Sequence, residues 1–184
     1  MPPIIPPIER AIIKYSKLAK GTLVVFPMPN KIGLEKNLRS KIMNDYLDIN
    51  RNFIDDGKCF ISKLVIGIIK HVDWIIDFHE GWGYNNIHSN SIGSTIGYSN
   101  QVSKNIAKYI LFNLNTDLTG YKKFNLNNDY CNIKSTLGCY CNKKNINYLL
   151  IETTGQNDIQ DLNIRVAQMN KIFDLFYNKI IGNN

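Results

Sequence analysis

Apolar residues recur at Ile8, Ala11, Ile12, Tyr15 and Leu18, a spacing of three and four that predicts a helix. Gly21 ends it, and Thr22-Leu23-Val24-Val25-Phe26 predicts a short buried strand. From Pro27 to Gly57 the chain is polar and irregular, broken by Pro-Met-Pro-Asn and Asp-Asp-Gly. Ile61, Leu64, Val65, Ile68, Ile69 and Val72 then trace one face of a second helix. Trp74-Ile75-Ile76-Asp77-Phe78-His79 predicts a strand whose apolar run implies burial on both faces. Residues 81–100, rich in Gly, Ser and Asn, predict loop or short strand, and a helix follows from Gln101 to Asn113. Asn115 to Asn132 reads as polar loop, and Tyr148-Leu149-Leu150-Ile151-Glu152 as another buried strand. The last helix spans Asp158 to Ile181, with Leu162, Val166, Met169, Phe173 and Phe176 facing inward.

Helices alternating with buried strands define an α/β domain: a mixed, mostly parallel sheet with helices on both faces. No internal repeat or linker divides the chain, so residues 1–184 are expected to form one domain. With 44% hydrophobic and 20% charged residues, the composition excludes a disordered tail or a collagen-like fibre. No apolar run approaches the roughly 18 residues that cross a bilayer, which gives the expectation of no membrane partner. The start, Met1-Pro2-Pro3-Ile4-Ile5, has no basic segment leading into an apolar one. A cytoplasmic protein is expected, with nothing to set its oligomeric state.

The net charge of +7 would suggest a nucleic-acid partner. However, 28 Ile, 25 Asn and 18 Lys stand against 4 Arg. These three abundant residues share A- and T-rich codons, so codon bias accounts for the lysines without phosphate binding. The lysines are scattered rather than gathered into a basic stripe, and no nucleic-acid partner is expected. Four cysteines, Cys59, Cys131, Cys139 and Cys141, match no zinc spacing and read as buried thiols in a reducing compartment. On an extended segment Cys139 and Cys141 would share one face.

Three segments place polar residues where strands end or loops begin, the part of α/β sheets where ligands bind. They are Asp48-Ile49-Asn50-Arg51-Asn52-Phe53, Asp77-Phe78-His79-Glu80-Gly81-Trp82 and Leu150-Ile151-Glu152-Thr153-Thr154-Gly155. Singly, each has an ordinary structural use as a sheet-edge histidine, a helix cap or a solvated turn. Together they supply a metal ligand, a carboxylate base and a guanidinium for an anionic substrate, the parts needed to hydrolyse an amide beside a carboxylate.

The order Asn-Arg-Asn-Phe, Asp-Phe-His-Glu-Gly and Ile-Glu-Thr resembles the zinc metallocarboxypeptidase superfamily, in particular its succinylglutamate desuccinylase and aspartoacylase branch. The resemblance runs from Ile8 to the C-terminus and implies a zinc-carboxypeptidase-like fold. It implies His79 as a zinc ligand and Glu152 as the general base. It implies Asn50 and Arg51 as the pair that holds the substrate carboxylate, and Arg39 as the arginine that stabilises the developing oxyanion.

One motif of that family is missing. Its first two zinc ligands lie in His-x-x-Glu, yet Trp74, Trp82 and Ser91 stand three residues after His71, His79 and His88. The opening strands before that motif have no counterpart either. The expected activity is zinc-dependent hydrolysis of an amide in a small anionic substrate or peptide, of the carboxypeptidase or N-acyl amino acid deacylase type. The alternative is a pseudoenzyme that binds a carboxylate ligand or protein partner without hydrolysis.

Overall fold

The computed structural model describes residues 21–27, 29–36, 38–39, 41–42, 45–46, 48–128 and 131–182. The helix expected over Ile8–Leu18 lies outside the described residues. Five helices and four strands matter here. In chain order they are α1 (Lys31–Glu35), α2 (Phe60–Ile69), β1 (Trp74–Gly81), β2 (Thr95–Tyr98), α3 (Gln101–Leu114), β3 (Asn125–Asn127), α4 (Leu137–Lys143), β4 (Asn147–Thr154) and α5 (Leu162–Ile180). A two-residue antiparallel ladder also joins Lys41–Ile42 to Asp45–Tyr46.

The strand order is β1-β4-β2-β3. β1 pairs with β4 in parallel, β4 with β2 antiparallel, and β2 with β3 in parallel. The sheet is mixed and mostly parallel, and side-chain alternation sorts its residues onto two helix layers. Leu149 and Ile151 of β4 and Ile96 of β2, all fully buried, meet Ala107 and Ile110 of α3 and Ile172 and Phe176 of α5. Trp74, Ile76 and Phe78 of β1 pack on the same side. On the other side Tyr148 packs with Ile66 and Ile69 of α2 and with Leu137, Tyr140 and Cys141 of α4, joined by Ile75 and Leu150.

Helix starts follow local chemistry. The Asn100 side chain accepts from Ser103 N–H, and the Ser103 hydroxyl returns a bond to the Asn100 backbone, a capping box that opens α3. Thr136 caps α4 through Cys139 N–H, and Asp161 caps α5 through Asn163 N–H. After β1 the chain folds back on itself so closely that a Cβ at Gly93 would fall 2.0 Å from the Gly83 carbonyl oxygen. Only glycine fits there.

Several expectations change. Thr22–Phe26 forms no strand, and Leu23 and Val24 are exposed. Its apolar, β-branched composition fits a strand, but none of the four sheet strands pairs with it, and composition without a ladder partner makes no strand. The polar loop expected over 115–132 contains β3, whose Asn-Leu-Asn has no propensity signal and is held by its ladder with β2. Cys139-Tyr140-Cys141 is helical rather than extended, so the two cysteines diverge. Cys139 is bonded to Cys131, which corrects the expectation of four free thiols, while Cys141 and Cys59 remain free and buried. In α5 the inward face is carried by Met169, Ile172 and Phe176, with Arg165 and Gln168 also buried, while Leu162, Val166 and Phe173 are half-buried.

Candidate functional site

The site begins with the register of two parallel strands. His79 of β1 lies opposite Glu152 of β4, and Asp77 lies opposite Leu150. Alternation sends Asp77, His79, Tyr148 and Glu152 to the face covered by α2 and α4. The result is a row of polar groups on a face that is otherwise apolar. Tyr148 Oη donates to Asp77 Oδ2 at 2.9 Å. Asp77 Oδ1 lies 3.2 Å from His79 Nε2, and His79 Nδ1 lies 3.7 Å from Glu152 Oε1.

Each group shifts the next. The Asp77 carboxylate, against the opposing effect of burial, raises His79 from its usual 6.5 to about 9, and Glu152 adds to the shift. Burial raises Glu152 to about 7, although the charge on His79 pulls the other way. Burial alone would raise Asp77 too, but the His79 charge and the hydrogen bonds from His79 and Tyr148 bring it below its ordinary value. At neutral pH the row holds an imidazolium between an ionised Asp77 and a Glu152 near its midpoint.

Facing the row is the loop before Phe53. Asp48 organises it: Oδ1 accepts the Asn50 N–H at 2.9 Å, Oδ2 accepts Arg39 Nε–H at 2.9 Å, and its carbonyl accepts from Asn52 Nδ2 at 2.7 Å. Asn50 Oδ1 accepts the Leu137 N–H, which ties this loop to the start of α4. Arg39, Asp48, Asn50, Asp77 and His79 line one cavity of about 1180 Å³. The charge on Arg39 is felt by both His79 and Glu152.

The fold thus brings His79, Arg39 and Asn50, far apart in sequence, to one cavity, and sets Glu152 3.7 Å from His79, outside the lining. Arg51 is placed differently. Its Nη1 donates to the Asn50 carbonyl at 2.7 Å and lies 4.0 Å from Asp48, outside the cavity lining. Asp48, Asp77 and Tyr148 belong to the site although sequence reasoning gave them no role. Asp77 stands two residues before His79 in a strand, and that period-two spacing was a usable signal. Tyr148 had none, because its partner comes from another strand.

The donors do not fit a resident zinc. Among the described residues His79 and Glu152 offer two donors, one fewer than the three protein ligands a catalytic zinc takes. Among the described residues no group of three or more His, Cys, Asp and Glu side chains is arranged to hold a metal ion.

No protein-family model and no curated protein matches this chain. Solved structures of the Helicobacter pylori cell shape determinant Csd4, a D,L-carboxypeptidase, do match. An mDAP-bound form aligns with a TM-score of 0.71, a tripeptide-bound form with 0.73 and a point variant with 0.74, each at 18% identity. The alignments cover 89% of this chain and 44% of Csd4, so the chain spans less than half the length of the protein it resembles. At this identity the likeness is one of fold. It corrects the resemblance read from the sequence, since the matching structures are of a D,L-carboxypeptidase and not of the succinylglutamate desuccinylase and aspartoacylase branch of the zinc metallocarboxypeptidases. The physical reason is that short strand-end motifs report where an α/β sheet gathers polar groups, which distantly related chains share.

Proposed function

We propose that this chain is a peptide-cleaving hydrolase of the carboxypeptidase kind, acting on a small peptide with a free C-terminal carboxylate. The observation that carries the proposal is Glu152, 5% exposed at the end of β4 and titrating near 7 beside His79. A group poised at the working pH both accepts and returns a proton efficiently. Csd4 is known in tripeptide-bound and product-bound forms, which makes a short peptide the natural substrate class to test here.

In this proposal Glu152 takes a proton from water as the water oxygen bonds to the scissile carbonyl carbon. The negative charge that develops on the carbonyl oxygen is met by the His79 imidazolium and the Arg39 guanidinium. Glu152 then gives its proton to the amide nitrogen as the carbon–nitrogen bond breaks. Asn50 borders the substrate carboxylate, and Arg51 braces the backbone of that loop.

The test is release of the C-terminal amino acid from short peptides, including D,L-linked ones, followed by mass spectrometry. Glu152→Gln should lower turnover about 10²–10⁴-fold, the usual range for a general acid–base. A Glu152→Gln chain that keeps full activity overturns the assignment. The second reading, binding of a carboxylate ligand without hydrolysis, is favoured by the poor fit of the donors to a metal. It predicts calorimetric binding of the same peptides with no cleavage.

A further inference from the structure

The mechanism above leaves a buried polar pair unused. Tyr148 is 1% exposed, and its phenol oxygen has the Asp77 carboxylate as partner. Both oxygens of Asp77 are engaged, Oδ2 by Tyr148 and Oδ1 by His79. A carboxylate held at two points has lost its freedom to rotate, and the imidazole it holds loses that freedom with it. Register adds a second constraint. His79 is aligned with Glu152 across the β1–β4 ladder, so fixing the ring about its side-chain torsions also fixes where Nδ1 lies relative to Oε1.

We infer that Asp77 and Tyr148 are positioning residues, acting through His79 to fix where its ring lies relative to Glu152. The inference deepens the hydrolase reading and rests on it for its kinetic consequence, but the ring geometry stands on its own. Among the described residues few groups face His79. Asp77 belongs to its own strand, Glu152 and Tyr148 to β4, and Arg39 to the loop across the cavity, with Cys141 of α4 beyond Asp77. Arg39 opposes the imidazolium charge, so among the described residues the two carboxylates favour it. Asp77 is the closer of them and the one that Tyr148 orients.

Tyr148→Phe and Asp77→Asn remove the chain of contacts at its two links with little change of volume. The experiment reads the ¹⁵N spectrum of the His79 ring at pH 7.5 in the full chain, assigned by His79→Gln, with turnover measured alongside. The wild-type ring should show one sharp pair of nitrogen signals. Asp77→Asn and Tyr148→Phe should each shift or broaden the Nε2 signal, Asp77→Asn the more. Turnover should fall about 10–100-fold in Asp77→Asn and less in Tyr148→Phe, mostly in kcat, because a small misplacement of a reacting group costs on that order.

A His79 spectrum unchanged in both variants overturns the inference, whatever the activity. If Asp77→Asn does not fold, the conservative Tyr148→Phe decides through the same signal. A wild-type chain that cleaves no peptide counts against the hydrolase reading, while the ring spectrum still decides the positioning role.

Discussion

At the scale of single residues, the site shows how environment gives identical side chains different roles. Glu152 and Asp77 are both carboxylates beside His79, and burial is the largest effect on each; at Glu152 it prevails and the group titrates near 7, while at Asp77 the His79 charge and two hydrogen bonds outweigh it and hold the group below its ordinary value. The two arginines also divide. Arg39 is 58% exposed and lines the cavity, whereas the Arg51 guanidinium is turned onto the Asn50 carbonyl. Replacing Arg39 by Ala should therefore weaken binding of a peptide carboxylate by about 1.5–3 kcal/mol, the worth of a charged hydrogen bond, when followed by calorimetry. Replacing Arg51 by Ala should act less on binding and more on the loop. His79 and Glu152 were legible as candidates because each ends an apolar strand. Their 3.7 Å approach was not, since it depends on how two strands 73 positions apart are paired.

At the scale of elements, stability rests on caps and on one covalent tie. Asn100 both caps α3 and donates from Nδ2 to Asn147 at the start of β4, so it couples a helix to the central strand. Asn100→Ala should cost about 0.5–2 kcal/mol in urea unfolding, the range for a lost N-cap. The Cys131–Cys139 disulfide closes a segment whose far end reaches the site: Ser135 O accepts the Phe53 N–H and Leu137 N–H donates to Asn50. Cys131→Ser should lower the melting temperature, because opening even a short closed loop returns about 2 kcal/mol of entropy to the unfolded chain. The amphipathic helices were readable from their spacing. By contrast β3, only three residues long and polar, is a strand only because β2 lies beside it.

At the scale of the whole molecule, the site makes stability depend on pH. His79 and Glu152 both have folded-state values above their unfolded ones, so each contributes fully below its unfolded value and the contribution is lost as pH rises. For Glu152 the loss runs from about 4.5 through about 7, and for His79 from 6.5 through about 9. Asp77 is shifted the other way, and its contribution is lost in acid below its ordinary value. The urea midpoint should therefore peak at about pH 4 and decline toward pH 9. Glu152→Gln should flatten the part of that decline centred near pH 6, and an unchanged profile would remove Glu152 as its cause. A second whole-molecule feature is the ion pair of Arg165 with Glu80, which ties α5 to the end of β1. The Arg165 side chain is 7% exposed while Glu80, at 42%, stays solvated without it, so Arg165→Ala should destabilise the fold by about 1.5–3 kcal/mol, the worth of a hydrogen bond between charged groups.

The sequence by itself determined the α/β alternation, the positions of α2, α3 and α5, the strands β1 and β4, and the residue types near the ends of those strands. These follow from local periodicity and propensity, which act over a few residues at a time. Only the tertiary structure decided that Thr22–Phe26 forms no strand and that Asn125–Asn127 does, because a strand exists through its ladder partner. It alone paired Cys131 with Cys139 by winding α4, and it alone set Tyr148 on Asp77 and His79 against Glu152. The charge states at the site belong to this second level as well. Burial and the distance to a neighbouring charge set them, and both quantities come into being only when the strands align.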